Sequence, residues 1–239
     1  MRRAEIELQI SNNVAELIEH ITHYLDVFAQ VDKFTGPSIY FHHRTIQRLR
    51  TLGLPSAAVQ DEPFLEYLYA TLTAWGLHRM GPKGAKLAPF DTFAGSLRSH
   101  GGRLDVFYGL RIESVAPSDI SALTDSLWEI MESLEVSATE SKIVAGSKTL
   151  HHILPDLVPP IDREHTGDFF LWQNQMQYRQ REMFTDVFPR LVTLARAIVV
   201  RVDTYLGSGF NTSLPKVVDN AIMGFVVGRD SHKSAIRTD

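Results

Sequence analysis

Cysteine is absent from all 239 residues. A disulfide, a thiolate metal site, an iron–sulfur cluster and a cysteine nucleophile are therefore all excluded. No window approaches the ~18 consecutive apolar residues of a membrane span. The start, Met1-Arg2-Arg3-Ala4-Glu5-Ile6-Glu7, is basic but has no apolar run behind it, so no signal peptide is expected. The chain also lacks the Gly-x-Ser-x-Gly elbow of serine hydrolases, the Gly-x-Gly-x-x-Gly dinucleotide turn, a Walker A loop and His-Glu-x-x-His. The expectation is a cytoplasmic, membrane-free protein with no metal and no cofactor.

Basic residues are missing from one whole segment. Between Ile112 and Ser141 there are seven acids and no base, whereas Trp75 to Arg103 carries five bases against Asp91 alone. The net charge of −4 hides this segregation. Such a pattern fits two ordinary solvated faces, and also a basic face opposite an acidic one.

What is present is an ordinary globular composition, 44% apolar and 22% charged, in a chain long enough for one large domain or two small lobes. Helical periodicity dominates. Val14, Leu17, Ile18, Ile21, Leu25 and Phe28 form one stripe, with Asn13 and Glu16 spaced as a capping pair. Asp61 and Pro63 start a helix over Phe64 to Trp75, and Ser118 precedes the stripe Ile120, Leu123, Leu127, Ile130, Met131, Leu134. A long apolar helix is expected over Thr185 to Leu206, and a last one from Leu214 to Val227. Only Val106 to Val115 is ambiguous between strand and helix. The fold is predicted to be mainly α, a single helical domain over 1–227 with a frayed tail at 228–239.

The segment richest in chemistry runs from Ser141 to Asp162. It reads as a turn at Gly146, a short helix bearing Lys148, a loop broken by Pro155, Pro159 and Pro160, and then Asp162. Glycine before a helix lets backbone N–H groups of Gly146 and Ser147 approach a phosphate. Lys148 could serve as a nucleophilic amine or a phosphate contact, and Asp162 could orient water and stabilise a sugar cation. A purely structural reading stands beside this one: Gly146 ends a helix, Lys148 is solvated and Asp162 caps the next helix.

A second candidate is the glycine-rich basic loop with Arg79, Lys83 and Lys86, suited to gripping phosphates, to which His42, His43, Arg44, Arg48 and Arg50 could add surface. Among the ten histidines, His152 and His165 are the candidates for a cleft beside Asp162. Trp75, Trp128 and Trp172, with Phe169 and Phe170, are candidates for base stacking or for core.

The order of glycine turn, lysine-bearing helix, proline-rich apolar loop and aspartate resembles the helix-hairpin-helix DNA glycosylase superfamily. The resemblance covers Ser141 to Phe170, with Val144 and Ile143 standing where that family has glycine and proline, and His165 where it has valine. It implies an all-α, two-lobed fold with a cleft near 140–170, a hairpin around Gly146 that binds DNA backbone, Lys148 as Schiff-base lysine and Asp162 as catalytic aspartate. It also implies base flipping and a role in DNA repair. Three readings follow: a DNA-binding N-glycosylase, a non-catalytic binding or regulatory module on the same scaffold, and a small-molecule enzyme.

Overall fold

The computed structural model of the protein describes residues 3–31, 35–78, 80–81 and 84–236. Within them the chain folds into eleven α-helices. In order they are α1 (Arg3–Glu19), α2 (Ile21–Ala29), α3 (Pro37–Leu52), α4 (Pro55–Gln60), α5 (Glu62–Leu72) and α6 (Phe90–Asp105). Then follow α7 (Ile120–Ser133), α8 (Lys142–Ile153), α9 (Thr166–Phe169), α10 (Gln180–Ile198) and α11 (Leu214–Ile236). Strand pairing among the described residues amounts to a two-residue hairpin, Met80–Gly81 against Gly84–Ala85, and one isolated bridge.

Local chemistry explains several helix ends. Asp61 accepts the backbone N–H of Phe64 at 2.9 Å, and Pro63 sits in the first turn, so α5 starts where its sequence indicates. The same carboxylate holds Arg48 of α3 through two hydrogen bonds of 2.8 and 2.6 Å, joining two helices at one cap. At the far end of α3, Gly53 takes φ 81°, a conformation that favours glycine, and stops the helix.

Other boundaries differ from the sequence reading. Asn13 is no cap: it lies inside α1, buried, and donates to the carbonyl of Phe169 at 2.8 Å. The expected Thr185 to Leu206 helix begins earlier, at Gln180, and gives way at Ile198 to two short 3₁₀ turns. The last helix continues past Val227 to Ile236. Val106 to Val115 forms no strand; it turns, leaving Val106 and Tyr108 exposed, and closes with a 3₁₀ turn at Ile112–Ser114.

The amphipathic stripes meet in one continuous apolar core that draws residues from α1 through α11. Six phenylalanines, among them Phe169, Phe170 and Phe184, are completely buried, each contributing roughly 1.5–3 kcal/mol of transfer free energy. Helix α11 runs along α2 with no room between them. A Cβ on Gly224 would overlap the carbonyl oxygen of Tyr24, so this crossing brings backbone against backbone.

Candidate functional site

Helix α8 is the frame of the site, and it is continuous through Gly146. The predicted turn at that glycine does not exist. Gly146 is buried against α7, where a Cβ would lie 2.9 Å from Met131 Cγ; small size, not a turn, is what the position requires. The connection between α7 and α8 lies upstream, over 134–141. It is pinned on one side by Ala138 N–H donating to Lys86 O at 2.8 Å and by the bridge between Leu87 and Ser137. On the other side Gln180 Oε1 accepts the N–H groups of Lys142 and Ile143 at 2.6 and 3.0 Å, satisfying two of the free donors at the start of α8.

Ser147 is also sealed from any phosphate. Its side chain is buried, and its Oγ accepts the N–H of Ile161 at 3.0 Å. That bond fastens the proline-rich loop to α8 and sets the next residue, Asp162, beside it. Asp162 in turn closes a tight turn into α9. Its Oδ1 accepts His165 N–H at 2.7 Å, and its Oδ2 accepts His165 Nδ1–H at 3.1 Å. Burial works to raise the Asp162 carboxyl, but the His165 hydrogen bond and the Lys148 ammonium outweigh it and hold the group well below the usual carboxylate range.

Lys148 and Asp162 line one cleft of about 1410 Å³. The amine also approaches the carbonyl of Trp75 at 3.5 Å and lies 6.0 Å from the centroid of its ring. Trp75 follows α5 in a widened π turn in which Gly76 takes φ 90°, which swings the indole toward the cleft. Phe28, Phe210 and Met223 form a separate apolar cluster packed with Trp75, giving the cleft an aromatic wall.

Two further charges come from α11 and were not singled out in the sequence. Lys216, buried, donates to Asp219 Oδ2 at 2.6 Å and to Asn220 Oδ1 at 2.8 Å. Its ammonium sits 4.9 Å from the Trp75 centroid and 5.4 Å from that of Phe210. Burial raises the Asp219 carboxyl; the Lys216 ammonium opposes this, the Asp162 charge adds to it, and the net shift is upward. A lysine, an aspartate and an asparagine at Lys216, Asp219 and Asn220 within an apolar helix are the signal that could have found them.

Behind the wall, three histidine rings pack together, and two of them, His42 and His152, share a hydrogen bond. His152 Nδ1 must donate, because its partner at 2.7 Å is the carbonyl of Lys148. Its Nε2 is then the acceptor for His42 Nδ1–H at 3.0 Å, and His42 Nε2 accepts from the Thr212 hydroxyl at 2.9 Å. His151 donates through Nδ1 to Val158 O at 2.9 Å, leaving Nε2 buried without a partner among the described residues. Burial, reinforced by neighbouring charges, lowers all three, His152 to about 4.

The other expected residues divide clearly. His165 lines the cleft beside Asp162; His152 is fully buried in the ring stack. His42 belongs to that buried ring stack and Arg48 to the Asp61 pair, so neither adds to a basic surface. Phe169, Phe170 and Trp128 are core, and Trp172 packs on the core while donating to Asp186 at 2.8 Å. Lys86 is exposed on the cleft rim, while Arg79 and Lys83 lie outside the described residues. The acid-rich and base-rich stretches are not held apart, since the bridge from Leu87 to Ser137 brings their ends together and Glu140 shares the rim with Lys86.

Among the described residues no three His, Asp or Glu side chains are grouped to hold a metal, and no helix is long and apolar enough to cross a membrane. Compared with protein-family models, curated proteins and solved structures, the chain matches none.

Proposed function

We propose that the cleft takes up a nucleoside unit of DNA and cleaves its N-glycosidic bond, with Asp162 stabilising the cationic sugar. One observation carries this reading: Lys148 and Asp162 line a common cleft with the rings of Trp75 and Phe210, and the Lys148 ammonium lies 6.0 Å from the Trp75 centroid. A base held against those rings would bring its sugar near the charged groups, where a carboxylate kept ionised offsets positive charge developing at C1′. A cleft of about 1410 Å³ has room for a flipped nucleotide with its flanking backbone. Lys86, Lys142 and Arg163 on the rim are the phosphate contacts in this reading, replacing the hairpin at Gly146. The cleft takes the place of the groove between two lobes, and the setting is DNA repair in the cytoplasm.

A free nucleoside is the second reading, favoured by one feature: Glu140 and Glu164 alternate with the rim bases and weaken attraction for a polyanion. A non-catalytic DNA-binding module is the third. Duplex oligonucleotides carrying single deoxyuridine, hypoxanthine, 8-oxoguanine or 3-methyladenine residues, run beside the corresponding free nucleosides, separate them. Base release from DNA, abolished in Asp162→Asn with DNA affinity retained, supports the first reading. Release from nucleosides alone supports the second, and salt-dependent binding without release supports the third.

A further inference from the structure

One residue, His165, engages both oxygens of the Asp162 carboxylate. The turn from Asp162 to His165 folds back so that both carboxylate oxygens are engaged, Oδ1 by the backbone N–H and Oδ2 by the ring Nδ1–H of His165. A carboxylate only accepts hydrogen bonds, so the proton of a neutral His165 resides on Nδ1 and the lone pair on Nε2. That Nε2 makes no hydrogen bond to any described residue, its atom is not sealed from solvent, and the ring lines the cleft. An imidazole clamped at one nitrogen by a carboxylate and open at the other is the arrangement that makes histidine an oriented base.

We propose that His165, oriented by Asp162, is the base that removes the proton from the attacking water. This rests on the reading of the cleft as an N-glycosidic hydrolysis site and assigns it a catalytic residue. In the step, His165 Nε2 takes one proton of the water as its oxygen bonds to C1′ of the sugar. The C1′–N bond breaks, and its electron pair leaves on the base, which gains a proton from solvent; the imidazolium returns its proton to solvent. Asp162 contributes twice, by orienting the ring and by offsetting charge on the sugar.

The groups facing His165 set the direction of its pH dependence. Burial lowers the imidazole, but the hydrogen bond and charge of Asp162, with Asp219 on α11 and Glu164 on the same turn, raise it above its ordinary value of 6.5. Lys148 on α8 and Lys216 on α11 act on the carboxylates of this cluster, Lys148 lowering Asp162 and both lysines lowering Asp219. A base must be unprotonated to act, so activity rises with pH through an inflection above 6.5.

The test uses the full chain and the four lesion-bearing duplexes, with pH profiles of single-turnover base release. Expected for His165→Gly is a loss of about 10²–10⁴-fold, partly restored by added imidazole, with DNA affinity unchanged. His165→Gln, which keeps an amide donor toward Asp162, should fold, bind DNA and lose both the rate and the inflection. The proposal is overturned if Asp162→Asn abolishes release while His165→Gln stays within about threefold of wild type and keeps the inflection. It is also overturned if imidazole restores nothing to a folded His165→Gly. If the wild type releases no base from any duplex or from the corresponding free nucleosides, the hydrolytic reading of the cleft itself fails.

Discussion

Ser147 and Ile161, fourteen residues apart, are joined by a 3.0 Å hydrogen bond from the Ile161 N–H to the Ser147 hydroxyl, and both are buried. The bond ties the loop that precedes Asp162 to the helix that carries Lys148. It therefore sets the separation of the two charged groups in the cleft. Ser147→Ala leaves the Ile161 N–H buried without a partner, a loss of about 1–3 kcal/mol. Chemical denaturation should show that loss. Base release should fall by more than destabilisation alone explains, because Asp162 is no longer held in register with Lys148.

Gly146→Ala tests whether this glycine serves packing or phosphate binding. A methyl group would press on Met131 Cγ at 2.9 Å, and the side chain must shift. We expect a stability loss of about 1–3 kcal/mol from overpacking, measured by denaturant melts, with unchanged DNA affinity at matched fraction folded.

Stability should decline as the solution is acidified below about pH 6.5. His42, His151 and His152 are lowered in the folded chain, so the unfolded chain binds their protons first. Their contribution is complete above 6.5, the ordinary histidine value, and is lost as pH falls, for His152 through about 4. Thermal melts between pH 7 and 4 should show this slope, and His152→Asn should reduce it. In ¹⁵N NMR at pH 6 the three rings should still be neutral with the proton on Nδ1.

Beside the His165 hydrogen bond, the Lys148 ammonium helps to hold down the Asp162 carboxyl. Lys148→Met removes that charge, so the Asp162 carboxyl should titrate at a higher pH, read from its ¹³C chemical shift. A borohydride trap on abasic-site DNA separates this electrostatic role from a covalent one: capture of wild type but not Lys148→Met would show an amine nucleophile.

Much of the fold was legible because its signals are local. The Asp61 cap and the stripe over Leu123, Leu127, Ile130 and Met131 are specified within a few residues. The site was legible only in part. Asp162 could be read from the proline-rich loop that leads into it, and Lys148 from its place on the helix before that loop. Gly146 was misread because its contact, Met131, is on another helix, and nothing local distinguishes a glycine that ends a helix from one that admits a neighbour. Lys216 and Asp219 were hidden because a chain position says nothing of the aromatic rings that fold around it. His42 looked like part of a basic surface until α8 covered it with His151 and His152.

Contact between Gly224 and the Tyr24 carbonyl also governs how the cleft responds to change. Tyr24 and Phe28 share α2, while Lys216, Asp219 and Gly224 share α11. Main chain touching main chain fixes the spacing of the two helices independently of any side chain on the cleft side. The Phe28 ring lies 5.9 Å from the Lys216 ammonium, so a change at Phe28 reaches that charge through their direct contact and not through a shift of the helices. The spacing of α2 and α11 is in this sense set by the main chain, and variation among the side chains of the wall need not force the two helices apart.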